Sequence, residues 1–162
     1  MKKPIQIIWI FSMIMMGLIS VCSATPKQYP TVSIEEITLG GISIGSKQSY
    51  VRSVYGEPTE VERSNHSGPF GVTSKWVYGD SFILHFASDG WVYAMETTAN
   101  NGIKTKSGFA VGQNISRVLN YFGDAVEHNG SYYTVRANFY TSMSFKTDYR
   151  GKIIGISCAT AP

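Results

Sequence analysis

The sequence predicts an α+β fold of two tandem repeats, each a short helix packed on an antiparallel sheet of about four strands. One observation is a match between the run from Gly41 to Pro58 and the run from Gly108 to Ala125. The other is that a helix-period run precedes alternating apolar and polar residues in each half. A repeat without a repeated acid, base or metal ligand favours a scaffold over an enzyme. Matching glycines occur at Gly41/Gly108, Gly45/Gly112 and Gly56/Gly123.

The chain opens with a segment typical of secretory signal peptides. A basic start is followed by an apolar run from Ile5 to Val21 and by small residues up to Ala24. We therefore predict a signal peptide over residues 1–24. An uncleaved membrane anchor is the alternative, because the apolar run is only slightly shorter than a minimal spanning helix. Lipid attachment at Cys22 is a further alternative, which the bulky Val21 before the cysteine disfavours.

Charge and cysteine content then constrain the mature chain. Removing Lys2 and Lys3 leaves 12 basic and 11 acidic residues, a net charge of +1. The sequence contains no Lys/Arg cluster that would neutralise nucleic-acid phosphates, so we expect no nucleic-acid partner. Cys158 would be the one cysteine left, so stability must come from the core and not from a disulfide. We expect Cys158 to be a buried strand thiol.

The first repeat is predicted to follow an extended tether over residues 25–34 and to span residues 35–98. Its helix runs from a capping Ser46 to Tyr55 and ends at Gly56. A hairpin follows, with strands at 82–86 and 91–96 joined by the turn at 88–90. Further strands are expected at 59–63 and 75–78. The polar loop at 64–71 is expected to project from this repeat.

The second repeat is predicted over residues 99–162. Asn114 can cap a helix that Gly123 ends. The pattern predicts strands at 126–128 and 132–136, then a hairpin of residues 139–146 and 152–157, with Phe139 facing inward. Because one helix shields one face of such a sheet, the other face must be solvated or covered by a partner.

Short motifs in this pattern resemble a known family. They are the Gly41–Gly45 run, the helix that ends in Tyr-Gly-Glu-Pro at 55–58, the Trp-Val-Tyr at 76–78, and Asp-Gly at 89–90. These motifs are similar to the SmpA/OmlA (BamE-like) domain family, and two such units in one chain resemble the architecture of beta-lactamase inhibitory protein. The resemblance implies a non-catalytic, extracytoplasmic module that binds protein. The chain departs from both patterns, because its repeats contain no disulfide and its lipoprotein cleavage signal is poor.

Aromatic residues are the candidate binding residues of the open sheet face. Aligning Gly90 with Gly151 places Trp91 opposite Lys152 and Val92 opposite Ile153, which predicts an exposed Trp91. A register shift of one residue would turn Val92 outward instead. Tyrosine and tryptophan on a rigid sheet give large contact area with few rotamers. The predicted protein-binding residues are Trp76, Tyr78, Trp91, Tyr93, Tyr132, Tyr133 and Tyr140.

Catalytic, metal and cofactor chemistry find little support in the sequence. His66, His85 and His128 lack metal-ligand spacing and are predicted at the surface. The Gly-Ile-Ser-Ile-Gly run around Ser43 matches the Gly-x-Ser-x-Gly motif of serine-nucleophile elbows. The second copy carries alanine at that position, so we interpret the match as false. We therefore predict no catalytic residue, no metal and no cofactor.

The functional prediction is an exported, non-enzymatic module that binds another protein, extracellular or in the cell envelope. One specific form is inhibition of an extracellular hydrolase such as a beta-lactamase, with the loop at 64–71 entering its cleft and Asp80 or Glu96 mimicking an acidic group. The alternative is an accessory lipoprotein of envelope assembly, and a third is a small hydrolase that uses His85 or His128. Secretion and periplasmic location both stay open.

Overall fold

A computed structural model describes residues 28–162, so the predicted signal peptide and the first residues of the predicted tether lie outside the described part. Two short 3-10 turns occur, at Ile34–Glu36 and Gly123–Ala125. The remaining elements, in chain order, are β1 (Thr38–Leu39), β2 (Ile42–Ser43), α1 (Gln48–Tyr55), β3 (Glu60–Gly68), β4 (Gly71–Tyr78), β5 (Phe82–Phe86), β6 (Val92–Thr97), α2 (Ser116–Phe122), β7 (Glu127–Asn129), β8 (Tyr132–Arg136), β9 (Thr141–Thr147) and β10 (Ile153–Thr160).

The main element is one antiparallel sheet of eight strands, in the order β3-β4-β5-β6-β10-β9-β8-β7. Strands β6 and β10 join its two halves, with Met95 opposite Cys158 and Ala94 opposite Ala159. The predicted fold of two tandem repeats, each a helix on its own sheet of about four strands, is therefore wrong. The fold is mostly β, and α1 and α2 have only 8 and 7 residues. The pairing of β6 with β10 links strands far apart in sequence, which local periodicity does not reveal.

The core lies on one face of this sheet. A row of side chains that crosses the sheet along the strand pairing is buried throughout, and it consists of Trp76, Leu84, Met95, Cys158, Met143 and Val135. Helices α1 and α2 contribute Val51 and Val118 to the same core, and the small β1–β2 sheet contributes Leu39 and Ile42. Each of these four side chains is fully buried. The burial of Cys158 confirms the expected strand thiol.

The opposite face, which we call the open face, carries the alternate residues of the same strands. Its side chains are mostly half-buried. One row across it consists of Glu60, Val77, Ile83, Glu96, Ser157, Ser144, Thr134 and Glu127. Polar and small residues thus dominate the face that the core does not use.

The helix ends follow local backbone geometry. Helix α1 ends at Gly56 as predicted, where a φ of 75° lets the Gly56 N–H donate to the Arg52 carbonyl at 2.8 Å. Its beginning differs from the prediction, because Lys47 is the N-cap and Ser46 Oγ accepts the Ser43 N–H instead. In the second half, Asn114 Oδ1 accepts the Ser116 N–H at 2.9 Å at the start of α2.

Both predicted hairpins form, as β5–β6 and β9–β10. Phe139 was expected to face inward, but it lies before β9 and is 85% exposed. The reason is a turn in which Asn138 Oδ1 accepts the N–H groups of Tyr140 and Thr141, each at 2.8 Å, so that the strand begins at Thr141. The expected loop at 64–71 is also wrong, because β3 continues to Gly68 and β4 begins at Gly71.

The first described residues run beside the sheet. The Val32 N–H donates to the Arg136 carbonyl at 2.8 Å, which ties the predicted tether to the end of β8. Within residues 28–162, no helix combines the length and apolar character needed to cross a membrane. The predicted boundaries at 34/35 and 98/99 stay predictions.

Candidate binding surface

An aromatic cluster occupies one end of the open face. The rings of Phe70 and Tyr93 stack with centroids 4.3 Å apart, and Trp91 meets Phe70 edge-on at 5.6 Å. The His85 ring lies 5.9 Å from Tyr93. The Ser88 N–H donates to the Phe70 carbonyl at 2.9 Å, so the β3–β4 and β5–β6 turns are held together. Two turns and two strands thereby build the cluster, defined as Phe70, His85, Trp91 and Tyr93.

A bulge in β6 gives Tyr93 its direction. The pairing with β5 shifts between His85 and Phe86, so that Ala94 lies opposite His85 while Val92 lies opposite Phe86. Val92 is fully buried, so the alternative register that turns it outward does not occur. Tyr93 reaches the open side and is half-buried, as Trp91 is. Bulges at sheet positions like this one re-aim a side chain without ending the strand.

A second aromatic group lies at the same end of the sheet. Tyr140 is 56% exposed and meets Phe139 edge-on, with ring centroids 5.3 Å apart. The Ala161 N–H donates to the Tyr140 carbonyl at 2.8 Å, which extends the β9–β10 pairing to this point. Because β10 separates β9 from β6, the two aromatic groups stand about two strand spacings, or ~10 Å, apart. Small open-face side chains fill the gap: Ala94, Ala159 and Ser142.

Three of the predicted binding residues lie on the core side instead. Trp76 is only 3% exposed and carries the Arg52 guanidinium 4.5 Å from its ring centroid. Tyr78 packs against Tyr55 and Phe82, and its hydroxyl donates to the Gly56 carbonyl at 3.1 Å.

Tyr133 is the third such residue. It stacks on His128 at 4.2 Å and pairs with the buried Phe145. Strand alternation explains all three placements, because Trp76, Tyr78 and Tyr133 share a face with core residues.

Tyr132 is the remaining predicted residue, and it lies on the open face with 48% of its area exposed. The Lys146 ammonium stands 5.8 Å from its ring centroid. Beside it is a depression of about 270 Å³ in the middle of the sheet. Its lining residues are Glu96, Thr97, Thr98, Tyr132, Ser144, Lys146, Gly155, Ile156 and Ser157.

The charges on the open face are mixed. Lys75 Nζ lies 3.0 Å from Glu62 on the neighbouring strand, and Arg136 Nε lies 2.6 Å from Glu127. Burial lowers the pKa of His85, while the nearby Glu96 partly opposes that shift. His85 therefore favours the neutral ring, which suits a place in an aromatic cluster.

The groups that could perform chemistry do not converge. His85 lies within the sheet, whereas His66 is on the edge strand β3 and His128 is on β7. Within residues 28–162, no group of three or more His, Cys, Asp or Glu side chains could hold a metal ion. Burial strongly raises the pKa of Cys158, which keeps its thiol protonated. The open face therefore offers aromatic contact area for a binding partner.

Sequence reasoning missed Phe70. It lies in the segment interpreted as a polar loop, between Pro69 and Gly71. A proline, an aromatic residue and a glycine in one turn were the available signal, since Gly71 has a φ of 73° and reverses the chain. The stack of Phe70 on Tyr93 depends on contact between two separate turns. The sequence around Phe70 therefore does not show in which direction its side chain points.

Solved structures that share this fold come from longer proteins, one described as extracellular and one as secretory. One is an extracellular protein containing an SCP domain from Bacillus anthracis str. Ames, with a TM-score of 0.55 and 11% identity, over 85% of this chain and 49% of that one. Another is a cysteine-rich secretory protein from Staphylococcus aureus subsp. aureus Mu50, with a TM-score of 0.51 and 13% identity, over 72% of this chain and 44% of that one. The chain thus corresponds to about half the length of these structures or less. No protein-family model and no curated protein matches the sequence.

These comparisons overturn the resemblance drawn from the sequence. The structures that share the fold are SCP-domain and cysteine-rich secretory proteins, and not BamE-like domains or beta-lactamase inhibitory protein. The tandem-repeat interpretation is wrong as well, because the strands form a single sheet. The matched glycines explain the error. All six have positive φ, so they report turn geometry that many folds require.

Proposed function

We propose that this chain is an exported protein that binds another protein through its open face and performs no catalysis. The observation that carries the proposal is the pair of aromatic groups on either side of Ala94 and Ala159. Interface hot spots are enriched in tyrosine and tryptophan and are surrounded by weaker contacts that exclude water. A rigid sheet supports such residues at low cost in conformational entropy.

Two independent observations support export. The sequence begins with a basic and then apolar segment typical of signal peptides. The proteins that share its fold are described as extracellular in one case and secretory in the other. In both, the matched region is less than half of the chain, so the fold there accompanies further polypeptide. A module that binds protein fits this arrangement.

The finer forms of this function have weaker support. Inhibition of a hydrolase was linked to an inserting loop at 64–71, but that segment is a β-hairpin end tied to the aromatic cluster. Specific inhibition of beta-lactamases rested on a resemblance that the fold overturns, so we do not retain it. A role in envelope assembly has no support from the structures that share the fold. The binding function is therefore proposed without a named partner.

Catalysis by a small hydrolase is the competing class. It would need a base within hydrogen-bonding reach of a nucleophile, oriented by a third group. The described contacts of His128 are a hydrogen bond to the Gly130 carbonyl at 2.8 Å and the stack on Tyr133. The described contacts of His85 are a ring contact with Tyr93 and electrostatic interactions with Glu96, Lys75 and Glu62. These contacts favour binding over turnover.

The test is capture of a partner from the culture medium of the native cells. Immobilised wild type is compared with Tyr93→Ser and Tyr140→Ser, and with Tyr149→Ser as a matched control. Tyr149 is 87% exposed in the β9–β10 turn, away from both aromatic groups. Because a hot-spot ring contributes ~2 kcal/mol or more, we expect capture to weaken at least ~10-fold in the first two variants.

The control variant should capture the partner as wild type does, with all four proteins melting within a few degrees of one another. Equal capture by all four proteins would contradict the proposal. Hydrolytic activity that disappears in His85→Gln would favour the competing class.

A further inference from the structure

The depression in the middle of the open face is lined mainly by polar and charged residues, and Gly155 contributes no side chain to this lining. Thr98, Ser144 and Ser157 supply hydroxyls around it. Its volume of about 270 Å³ is close to the lower end of small-molecule sites, ~300 Å³. The backbone of Gly155 has no positive φ, so glycine is not required there by the conformation of the chain.

Two opposite charges stand at the edges of the depression. Glu96 projects from β6, and Lys146 projects from β9 on the far side of β10. Of the salt bridges formed within residues 28–162, none involves Glu96 or Lys146. Lys146 leans toward the Tyr132 ring on β8, with 5.8 Å from the ammonium to the ring centroid. The Glu96 carboxylate, a hydrogen-bond acceptor, and the Lys146 ammonium, a donor, therefore stay apart.

This composition excludes several ligand classes. An apolar ligand would strip water from hydroxyls and charges without replacing their hydrogen bonds. A ligand of single charge would meet one opposite and one like charge. A free amino acid carries its two opposite charges on one carbon. Glu96 and Tyr132, toward which Lys146 leans, are separated by three strand spacings, or ~14 Å at the backbone. A free amino acid is therefore too short to pair with both charges.

We propose that the depression binds a short stretch of a neutral glycan. Each sugar hydroxyl can both donate and accept, so one ring can donate to the Glu96 carboxylate and accept from the hydroxyls near it. The flat, CH-bearing side of a following ring packs against Tyr132, whose exposed ring forms one wall, and its hydroxyls accept from Lys146. A longer glycan extends along the small-residue floor toward Ser142 and Ala159. This site goes beyond the proposed protein-binding function and does not depend on it.

The experiment is calorimetric titration of the mature chain with tetramers of glucose and of N-acetylglucosamine, with tetraglycine as a peptide probe of similar length. We expect at least one sugar tetramer to bind with a Kd of about 1 mM and tetraglycine to bind more weakly. Tyr132→Ala should weaken sugar binding about fivefold to tenfold, as expected for loss of one aromatic contact. Glu96→Gln should also weaken it, because an acceptor oxygen is lost.

A filling variant gives the sharpest comparison. A Cβ at Gly155 would lie 3.8 Å from its nearest neighbours, which is ordinary contact, and Gly155→Val adds two further methyl groups at the depression. We expect it to abolish sugar binding. Tyr149→Ser is the matched control and should bind as wild type does. If Gly155→Val fails to fold, Tyr132→Ala and Glu96→Gln decide the matter.

Several results would overturn the proposal. They are no binding of either sugar tetramer, tetraglycine binding at least as tight as sugar binding, or sugar binding that survives in both Gly155→Val and Tyr132→Ala. Partner capture by Tyr93 and Tyr140 is read out separately, so either conclusion can fail while the other stands.

Discussion

His85 is a titratable side chain within the aromatic cluster of the open face. Its ring lies beside Tyr93, and the charges around it are Glu96, Lys75 and Glu62. Burial is the main cause that lowers the pKa of His85 below the ordinary histidine value of 6.5. The folded protein therefore binds this proton less readily than the unfolded chain does. Stability rises with pH wherever the unfolded state binds more protons.

We predict from this that His85 destabilises the protein in acid. The penalty is absent above the unfolded pKa of 6.5, grows as pH falls through it, and is complete below the lowered folded pKa. Urea unfolding of wild type and His85→Gln should therefore give midpoints whose difference changes between about pH 7.5 and about pH 5. The wild type should lose more stability over that interval. Parallel pH dependence of the two proteins would show that His85 titrates as it does in the unfolded chain.

The direction of single side chains was partly readable from the sequence. Comparing Trp91 with Lys152 predicted that Val92 faces the core, and Val92 is fully buried. Trp76 could not be placed this way, since Trp76 and Val77 are both apolar and either could face inward. Pairing of Trp76 with the buried Leu84 decides the matter. For aromatic residues in strands, the neighbouring strand carries the information.

Elements were predictable where glycine or a hairpin turn dictates the backbone. Gly56 ended α1 as expected, and Asp148 Oδ1 accepts the N–H groups of Arg150 and Lys152 in the predicted β9–β10 turn. The start of α1 was not predictable, because Ser46 bonds backward to Ser43 instead of capping the helix. A serine offers several local hydrogen bonds, and tertiary contacts choose among them.

The end of α1 gives a prediction at the level of the element. Gly56 has φ 75° and ψ −155°, a region nearly closed to residues with a Cβ. Gly56→Ala should therefore destabilise the protein by about 1–3 kcal/mol in urea unfolding. Gly68→Ala is the matched control, because Gly68 has no positive φ and a Cβ there would meet nothing within 4 Å. A control that loses as much stability as Gly56→Ala would refute the backbone explanation.

For the whole molecule, the decisive feature is the junction between β6 and β10. Local patterns predicted each hairpin, but they carry no information on how the two halves pair, and the predicted separate sheet for each half is wrong. The junction consists of ordinary strand residues, with Ala94 opposite Ala159 and Glu96 opposite Ser157. The small side chains on the open side allow β6 and β10 to pair, but nothing in these residues indicates from the sequence that the two strands are neighbours. The same junction places the Tyr93 and Tyr140 groups on one surface, so the candidate site depends on it.

A single sheet predicts that damage in one half unfolds the other half. The described residues contain two tryptophans, Trp76 and Trp91, both in the β3–β6 half. Met143 is fully buried on β9, in the same row as Trp76 but four strands away. Met143→Ala should destabilise the protein by about 2–5 kcal/mol.

This loss should appear equally in tryptophan fluorescence and in far-UV circular dichroism during urea unfolding, because one cooperative unit gives coincident transitions. Tyr149→Ser, at an exposed turn, should leave both midpoints unchanged. A tryptophan transition that stays at its wild-type midpoint while the dichroism midpoint falls would show that the two halves unfold separately.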